Sequence, residues 1–260
     1  MDTTELMAIF NHHQRKQVAW PGMIRQEVNG VVRQFTPEDG PAFIEYSELT
    51  AATADKAIQQ EIDFFSALGR SFEWKLYDCD PPADLKERLQ AHGFIIEDPE
   101  ALLVLQLTPD HPLLARPIPP EIRPVIDDAG VDGIQAMAEE VWHEERPWLA
   151  DHLKADLHNN PELISIHAAW VDGRVVSAAW IYYHPGTPFG SLWGGSTLAE
   201  YRGRGLYTGL LAVRAQAAWR RGFSLLYVDA SPMSQPILEK QGFVCLGYSR
   251  PCTFEPPKAS

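Results

Sequence analysis

Apolar residues recur along this chain with two periods, and each change of period marks an element boundary. Leu6, Ile9 and Phe10 share one side of Thr4 to about Lys16, which predicts a short helix capped by Thr3 or Thr4. Asn29-Gly30, between Gly22–Gly30 and Val31–Phe35, predicts a hairpin. Ala42 to Ala67 reads as helical through Phe43, Ile44, Ala57, Ile58, Ile62, Phe64 and Phe65, with a break near Thr50–Thr53. A strand over Ser71–Tyr77, a helix over Ala83–His92 between Pro81-Pro82 and Gly93, and a strand over Ala101–Leu107 follow.

A second series begins with an edge strand over Glu121–Val125, a helix over Val131–Trp142 with Asp127 or Asp128 as cap, and a helix over Pro147–Leu157. Asp172-Gly173 joins strands Leu163–Val171 and Arg174–Tyr183, and Phe189–Leu198 returns as a third, an antiparallel meander. A helix over Leu206–Arg221 and a strand over Ser224–Asp229 then predict a right-handed parallel crossover. A short helix Gln235–Gln241, the pair Gly242-Phe243 and a last strand Val244–Phe254 end the series. SFEWKLYDCDPPADLKERLQAHGF and FSLLYVDASPMSQPILEKQGF thus read as two copies of one supersecondary unit. Pro109, Pro112, Pro117, Pro119, Pro120 and Pro124 predict a stiff linker between two lobes. The expected division is a lobe at 1–107, a linker at 108–120 and a second domain at 121–260.

Composition narrows the classes. With 45% apolar residues among 260, the chain can bury a full core. It has no apolar run of roughly 18 residues, the length a membrane span needs, and MDTTELMAIFNHHQRK shows no secretory leader. Cys79, Cys245 and Cys252 are scattered, as incidental thiols of a reducing compartment are, so a cytoplasmic protein is expected. The net charge of −13 argues against nucleic acid and favours a cationic small molecule. No His or Cys spacing suggests a metal. The oligomeric state is left open.

The candidate chemistry lies in GSLWGGSTLAEYRGRGLYT, from Gly190 to Thr208. Gly203 and Gly205 open a helix whose first N–H groups and partial positive charge suit a phosphate, with Arg202 and Arg204 beside them. Gly203, Gly205 and Gly209 also fit a dinucleotide pattern with Asp229 as its acid, but that fold needs further strands and helices after the acid. No Gly-Lys-Ser/Thr follows, which excludes a kinase-type loop.

Arg202-Gly203-Arg204-Gly205-Leu206-Tyr207 resembles the acetyl-CoA loop of the GCN5-related acetyltransferase superfamily: Arg or Gln, two residues, Gly, one residue, then Gly or Ala. Tyr207 stands where the small residue is usual. The resemblance spans residues 120 to 256 and includes Gly242-Phe243 before the last strand. It implies an α/β fold, a mixed and mostly antiparallel sheet flanked by helices, in two lobes of which the first is a degenerate copy. It further implies acetyl-CoA as cosubstrate. The pantetheine arm would pair with the backbone of Gly195, Ser196 and Thr197, and Gly194-Gly195 allows a bulge. The pyrophosphate would lie on the N–H groups from Gly203 to Thr208. The thioester would lie near Gly195, where a strand N–H can stabilise the oxyanion of direct attack by an amine.

The family's usual tyrosine acid aligns with Leu238 and its usual Asn with Ser231, which leaves water, Ser231 or Tyr248 to protonate the thiolate. The acceptor side would be the first helix-to-helix connection. Glu140, Trp142, His143 and Trp148 there suit a cation held by carboxylate and aromatic faces, and Glu144 is a candidate base. The expected function is acetyl transfer to an amine of a small molecule. A non-catalytic acyl-CoA sensor or scaffold is the alternative.

Overall fold

The computed structural model describes residues 1–256. The chain forms two compact units, one of residues 1–103 with the C-terminal stretch from Asp229, the other of residues 104–228. The expected division at a proline-rich linker differs from this: the boundary falls at Leu103, and the last strand belongs to the first unit.

In the first unit, helix α1 (Thr3–Phe10) is capped by Asp2, whose carboxylate accepts the Glu5 N–H. The hairpin β1 (Ile24–Val28) and β2 (Val31–Phe35) turns at Asn29 and Gly30, both at positive φ. β3 is Ala42–Ser47, α2 Ala54–Ala67, β4 Phe72–Tyr77, α3 Leu85–Ala91 and β5 Ile95–Ile96, and β6 (Glu100–Gln106) runs across the boundary at Leu103. The expected helix from Ala42 is therefore wrong over its first turns. Ala42–Ser47 lies between β2 and β4, and two-sided pairing overrides a spacing that is ambiguous in so short an apolar run.

The second unit contains α4 (Pro112–Ala115), β7 (Ile122–Pro124), α5 (Asp128–Trp142), α6 (Pro147–Asn159), β8 (Ile164–Val171), β9 (Arg174–Tyr183), β10 (Phe189–Thr197), α7 (Leu206–Arg220) and β11 (Leu225–Ala230). Its sheet runs β11-β10-β9-β8-β7, antiparallel except for β10 with β11. The proline-rich segment is folded rather than extended. Leu113 is buried, and Gln216 of α7 donates to the Leu113 and Arg116 carbonyls. α8 (Gln235–Glu239) and β12 (Val244–Phe254) complete the first unit, whose sheet runs β1-β2-β3-β4-β12. The fold is a mixed α/β one, mostly antiparallel, flanked by helices.

The two proposed sequence copies share local geometry. α3 ends at Gly93 and α8 at Gly242, with φ of 92° and 94°. In each case the next N–H, of Phe94 or Phe243, returns to the carbonyl five residues back. α2 ends the same way at Gly69 and α7 at Gly222. Left-handed glycine closures of this type satisfy the last helical carbonyls and aim the chain back into the sheet.

Candidate functional site

β10 is interrupted where the reading above placed the reacting end of a coenzyme. Its register with β9 holds to Trp193↔Trp180 and resumes at Ser196↔Ala178, so Gly194 and Gly195 face one residue, a bulge. Gly194 has φ +66°, and a Cβ there would fall 1.8 Å from the Trp180 ring. Arg214 of α7, 2% exposed, donates to the Trp180 and Trp193 carbonyls flanking the bulge, at 3.2 and 3.3 Å. Burial brings its guanidinium down to about 10. Ser177 donates to the Ser196 carbonyl at 2.8 Å and meets the Thr197 hydroxyl at 2.7 Å, which fixes the strand beyond the bulge.

The loop after β10 is a glycine cradle. Gly203 and Gly205 lie at φ +74° and +80°, and space is open where a Cβ would project. Gly205 is the residue before α7, and no side chain caps the helix, so the first-turn N–H groups of Leu206, Tyr207 and Thr208 are uncommitted to a cap. Arg202 Nε donates to the Thr197 carbonyl at 3.1 Å, and Arg204 donates to the Glu200 carbonyl and lies over the Tyr201 ring. Two cations, free backbone donors and a face without Cβ atoms fit a pyrophosphate. Tyr207 turns toward the bulge: a Cβ on Gly195 would meet its Cε2 at 3.0 Å and its hydroxyl oxygen at 3.6 Å.

The strand pattern also brings together residues that sequence reasoning did not single out. Ser191, fully buried on β10, accepts the Trp193 indole N–H at 2.9 Å and lies 2.9 Å from His184 Nε2. Burial brings His184 down to about 4, so the ring is neutral near pH 7. Trp193 is still 44% exposed and meets Tyr182 edge-on, while Tyr182 donates to Asp156 of α6 at 2.5 Å. The period-2 placement of Ser191 and Trp193 was the available signal.

The α5–α6 connection is exposed and partly committed to itself. His143 ends α5 in the left-handed region, Arg146 lies over the Trp142 ring and pairs with Glu144, and Arg174 pairs with Glu140. Trp148 is 59% exposed. Thus Arg146 occupies the aromatic face and carboxylate expected for a cationic acceptor. Ser231 and Tyr248 belong to the first unit. Ser231 lies in a turn whose carbonyl accepts from Ser234, and the Tyr248 carbonyl accepts the Asp78 N–H. Leu238 is buried. Asp229, the acid of the dinucleotide pattern, is taken by Lys75 at 2.6 Å and Ser249 at 2.9 Å.

The first unit has its own parallel pair, β3 with β4, joined at Phe43↔Glu73 and Ile44↔Trp74. Beyond that pairing lies Arg15, 1% exposed. Its Nε donates to the Glu45 carbonyl at 3.1 Å, its two terminal nitrogens to Asp80 at 2.8 and 2.7 Å, and its guanidinium stacks 3.9 Å from the Tyr77 ring.

Residues 131–243 match the model of the acetyltransferase (GNAT) family, a span from α5 to the residue before β12. The whole chain is similar in fold to a GCN5-related N-acetyltransferase from Kribbella flavida, with a TM-score of 0.67 at 17% identity over 96% of this chain and 93% of that one. It is also similar to a tandem GNAT protein from the clavulanic acid biosynthesis pathway, with a TM-score of 0.58 at 16% identity over 94% and 86%. A GCN5-related N-acetyltransferase from Sphaerobacter thermophilus gives 0.57 at 13% identity over 89% and 78%. At these identities the likeness is one of fold. No curated protein matches the chain. No helix among the described residues is long and apolar enough to cross a membrane.

Proposed function

We propose, from the match of residues 131–243 to the model of the acetyltransferase (GNAT) family, that the protein moves an acetyl group from acetyl-CoA to an amine of a small molecule by direct attack. The observation that carries this reading is the pairing, on one crossover, of the glycine cradle at Gly203–Gly205 with the bulge at Gly194-Gly195. Arg202, Arg204 and the N–H groups of Leu206, Tyr207 and Thr208 hold the pyrophosphate, and the backbone of Gly195, Ser196 and Thr197 receives the pantetheine arm. Acetyl-CoA supplies the activated acyl group. The protein orders it against β10 and leaves the Gly195 N–H to stabilise developing negative charge.

We place the acceptor along the α5–α6 connection at Glu140, Trp142, His143 and Trp148, with Glu144 as the candidate base. An incoming cation displaces Arg146 from the Trp142 ring. The first unit is read as a degenerate lobe of the same fold. The three cysteines are free, as in a reducing compartment, and we place the protein in the cytoplasm.

Coenzyme binding tests the reading. Millimolar CoA or acetyl-CoA is expected to raise Tm, as any ligand selective for the folded state does. Gly205→Glu, which sets a carboxylate at a positive-φ position in the cradle, is expected to abolish that rise. An unchanged rise in the variant would remove the loop from the site. Binding without thiol release over a broad amine panel would favour a sensor or scaffold.

A further inference from the structure

Tyr207 stands where the loop pattern calls for a small residue, and the structure shows where its bulk goes. The ring lies against Gly195, and the hydroxyl oxygen is 3.6 Å from the point a Cβ on that glycine would occupy. Any larger residue than glycine at 195 would press on the phenol, so bulge and tyrosine are matched. The hydroxyl has no hydrogen-bond partner among the described residues and is not one of the sealed, unsatisfied polar atoms. A phenol with a half-buried ring packed on Gly195 and an uncommitted hydroxyl is poised to donate to a ligand.

Two further observations concern its protonation. Burial pushes the Tyr207 phenol up, so it carries its proton near neutrality, as a donor must. Arg214, held by the Leu210, Trp180 and Trp193 carbonyls, is the charged group that acts on it, and its charge favours the phenolate once the proton has left. Leu238, at the position where the resemblance places the usual acid, is apolar and buried and can supply nothing.

Resting on the acetyl-transfer reading above, we propose that Tyr207 is the general acid of the reaction and protonates the departing sulfur of CoA. The amine lone pair forms the C–N bond at the acetyl carbonyl carbon, and the C–S bond breaks with its electron pair going to sulfur. The Tyr207 O–H proton passes to that sulfur. The base, Glu144, takes the proton lost by the amine nitrogen and the phenolate regains one through water, so amide and free thiol form and Tyr207 ends as it began. Arg214 is a positioning residue that holds charge beside the phenolate.

The test compares Tyr207→Phe with the unaltered chain, using acetyl-CoA and the best acceptor from a panel of primary amines, with thiol release as the assay. Phe keeps the ring on Gly195 and removes only the hydroxyl. The expected result is a fall in kcat of about 100-fold, with the CoA-induced rise in Tm and the KM for acetyl-CoA within about twofold. The descending alkaline limb of the kcat profile is expected to disappear in the variant. A kcat within threefold of the original overturns the proposal, and so does tighter CoA binding by Tyr207→Ala with kcat retained, which would make the ring a plug. If the unaltered chain neither binds CoA nor releases thiol, the acetyl-transfer reading fails, and the proposal with it.

Discussion

Past Ile44↔Trp74, the space next to β3 and β4 holds the Arg15 guanidinium; past Ser191↔Tyr227, β10 leads into glycines. Where parallel strands stop pairing, backbone donors and acceptors are left that something must satisfy. In the first unit a side chain does so, at the cost of burying a cation, and Asp80 and Tyr77 offset that cost. In the second unit the corresponding strand is bulged and fixed by Ser177 and Arg214, and its loop is left uncapped. One pair is closed by its own chain and the other is left open, although the connecting helices end alike.

The largest expected effect is on the closed pair. Arg15→Ala strands Asp80 as a buried lone carboxylate and is expected to destabilise the protein by about 3–5 kcal/mol, read by chemical denaturation. A loss under about 1 kcal/mol would show that the pair is not a structural plug. Both variant and parent are expected to bind one CoA per chain.

Acid separates the units next. Burial holds His184, and burial with Arg214 and Arg220 holds His167, at about 4 against 6.5 unfolded. Their contribution to the second unit is therefore complete above pH 6.5 and is lost as pH falls toward 4. Glu73 of the first unit, raised by burial from 4.5 to about 7, runs the other way: its contribution is complete below 4.5 and is lost as pH rises through 7. Moving from pH 7 to pH 5 is expected to weaken residues 104–228 and to strengthen the first unit, as read by segment-resolved hydrogen exchange. Equal responses would contradict the contrast.

The smallest effect expected is that of Ser191→Ala. It removes the hydroxyl that accepts the Trp193 indole N–H, a loss of about 1 kcal/mol. Because Trp193 is 44% exposed just before the bulge, the variant is also expected to change KM for the amine more than KM for acetyl-CoA. Equal changes in both constants would confine Ser191 to stability.

Local signals in the chain were good guides where one short segment decides its own shape. Asn29-Gly30, Asp172-Gly173, the crossover around Leu206–Arg220 and the glycine closures at Gly93 and Gly242 all belong to that class. Ala42–Ser47 was misread because its state is set by β2 and β4, not by its own spacing. Arg15 could not be matched to Asp80, because the sequence carries no mark of which distant carboxylate meets a buried guanidinium. The positive φ of Gly203 and Gly205 was legible, since a glycine pair that opens a helix sets its own backbone. Tyr207 was legible only as an exception to a pattern, and its meaning depends on Gly195, a neighbour in space across the crossover.

The return of β12 to the first unit also sets an order of assembly. Tyr77 pairs with Ser249 and Phe72 with Phe254, so the sheet of the first unit lacks a strand until residues 249–254 have been made. The second unit, residues 104–228, has all its strands earlier. On a chain synthesised from its N-terminus, the first unit is therefore completed after the second. Its unpaired β4 edge must be kept from other partners until β12 emerges, a period in which exposed strands invite aggregation.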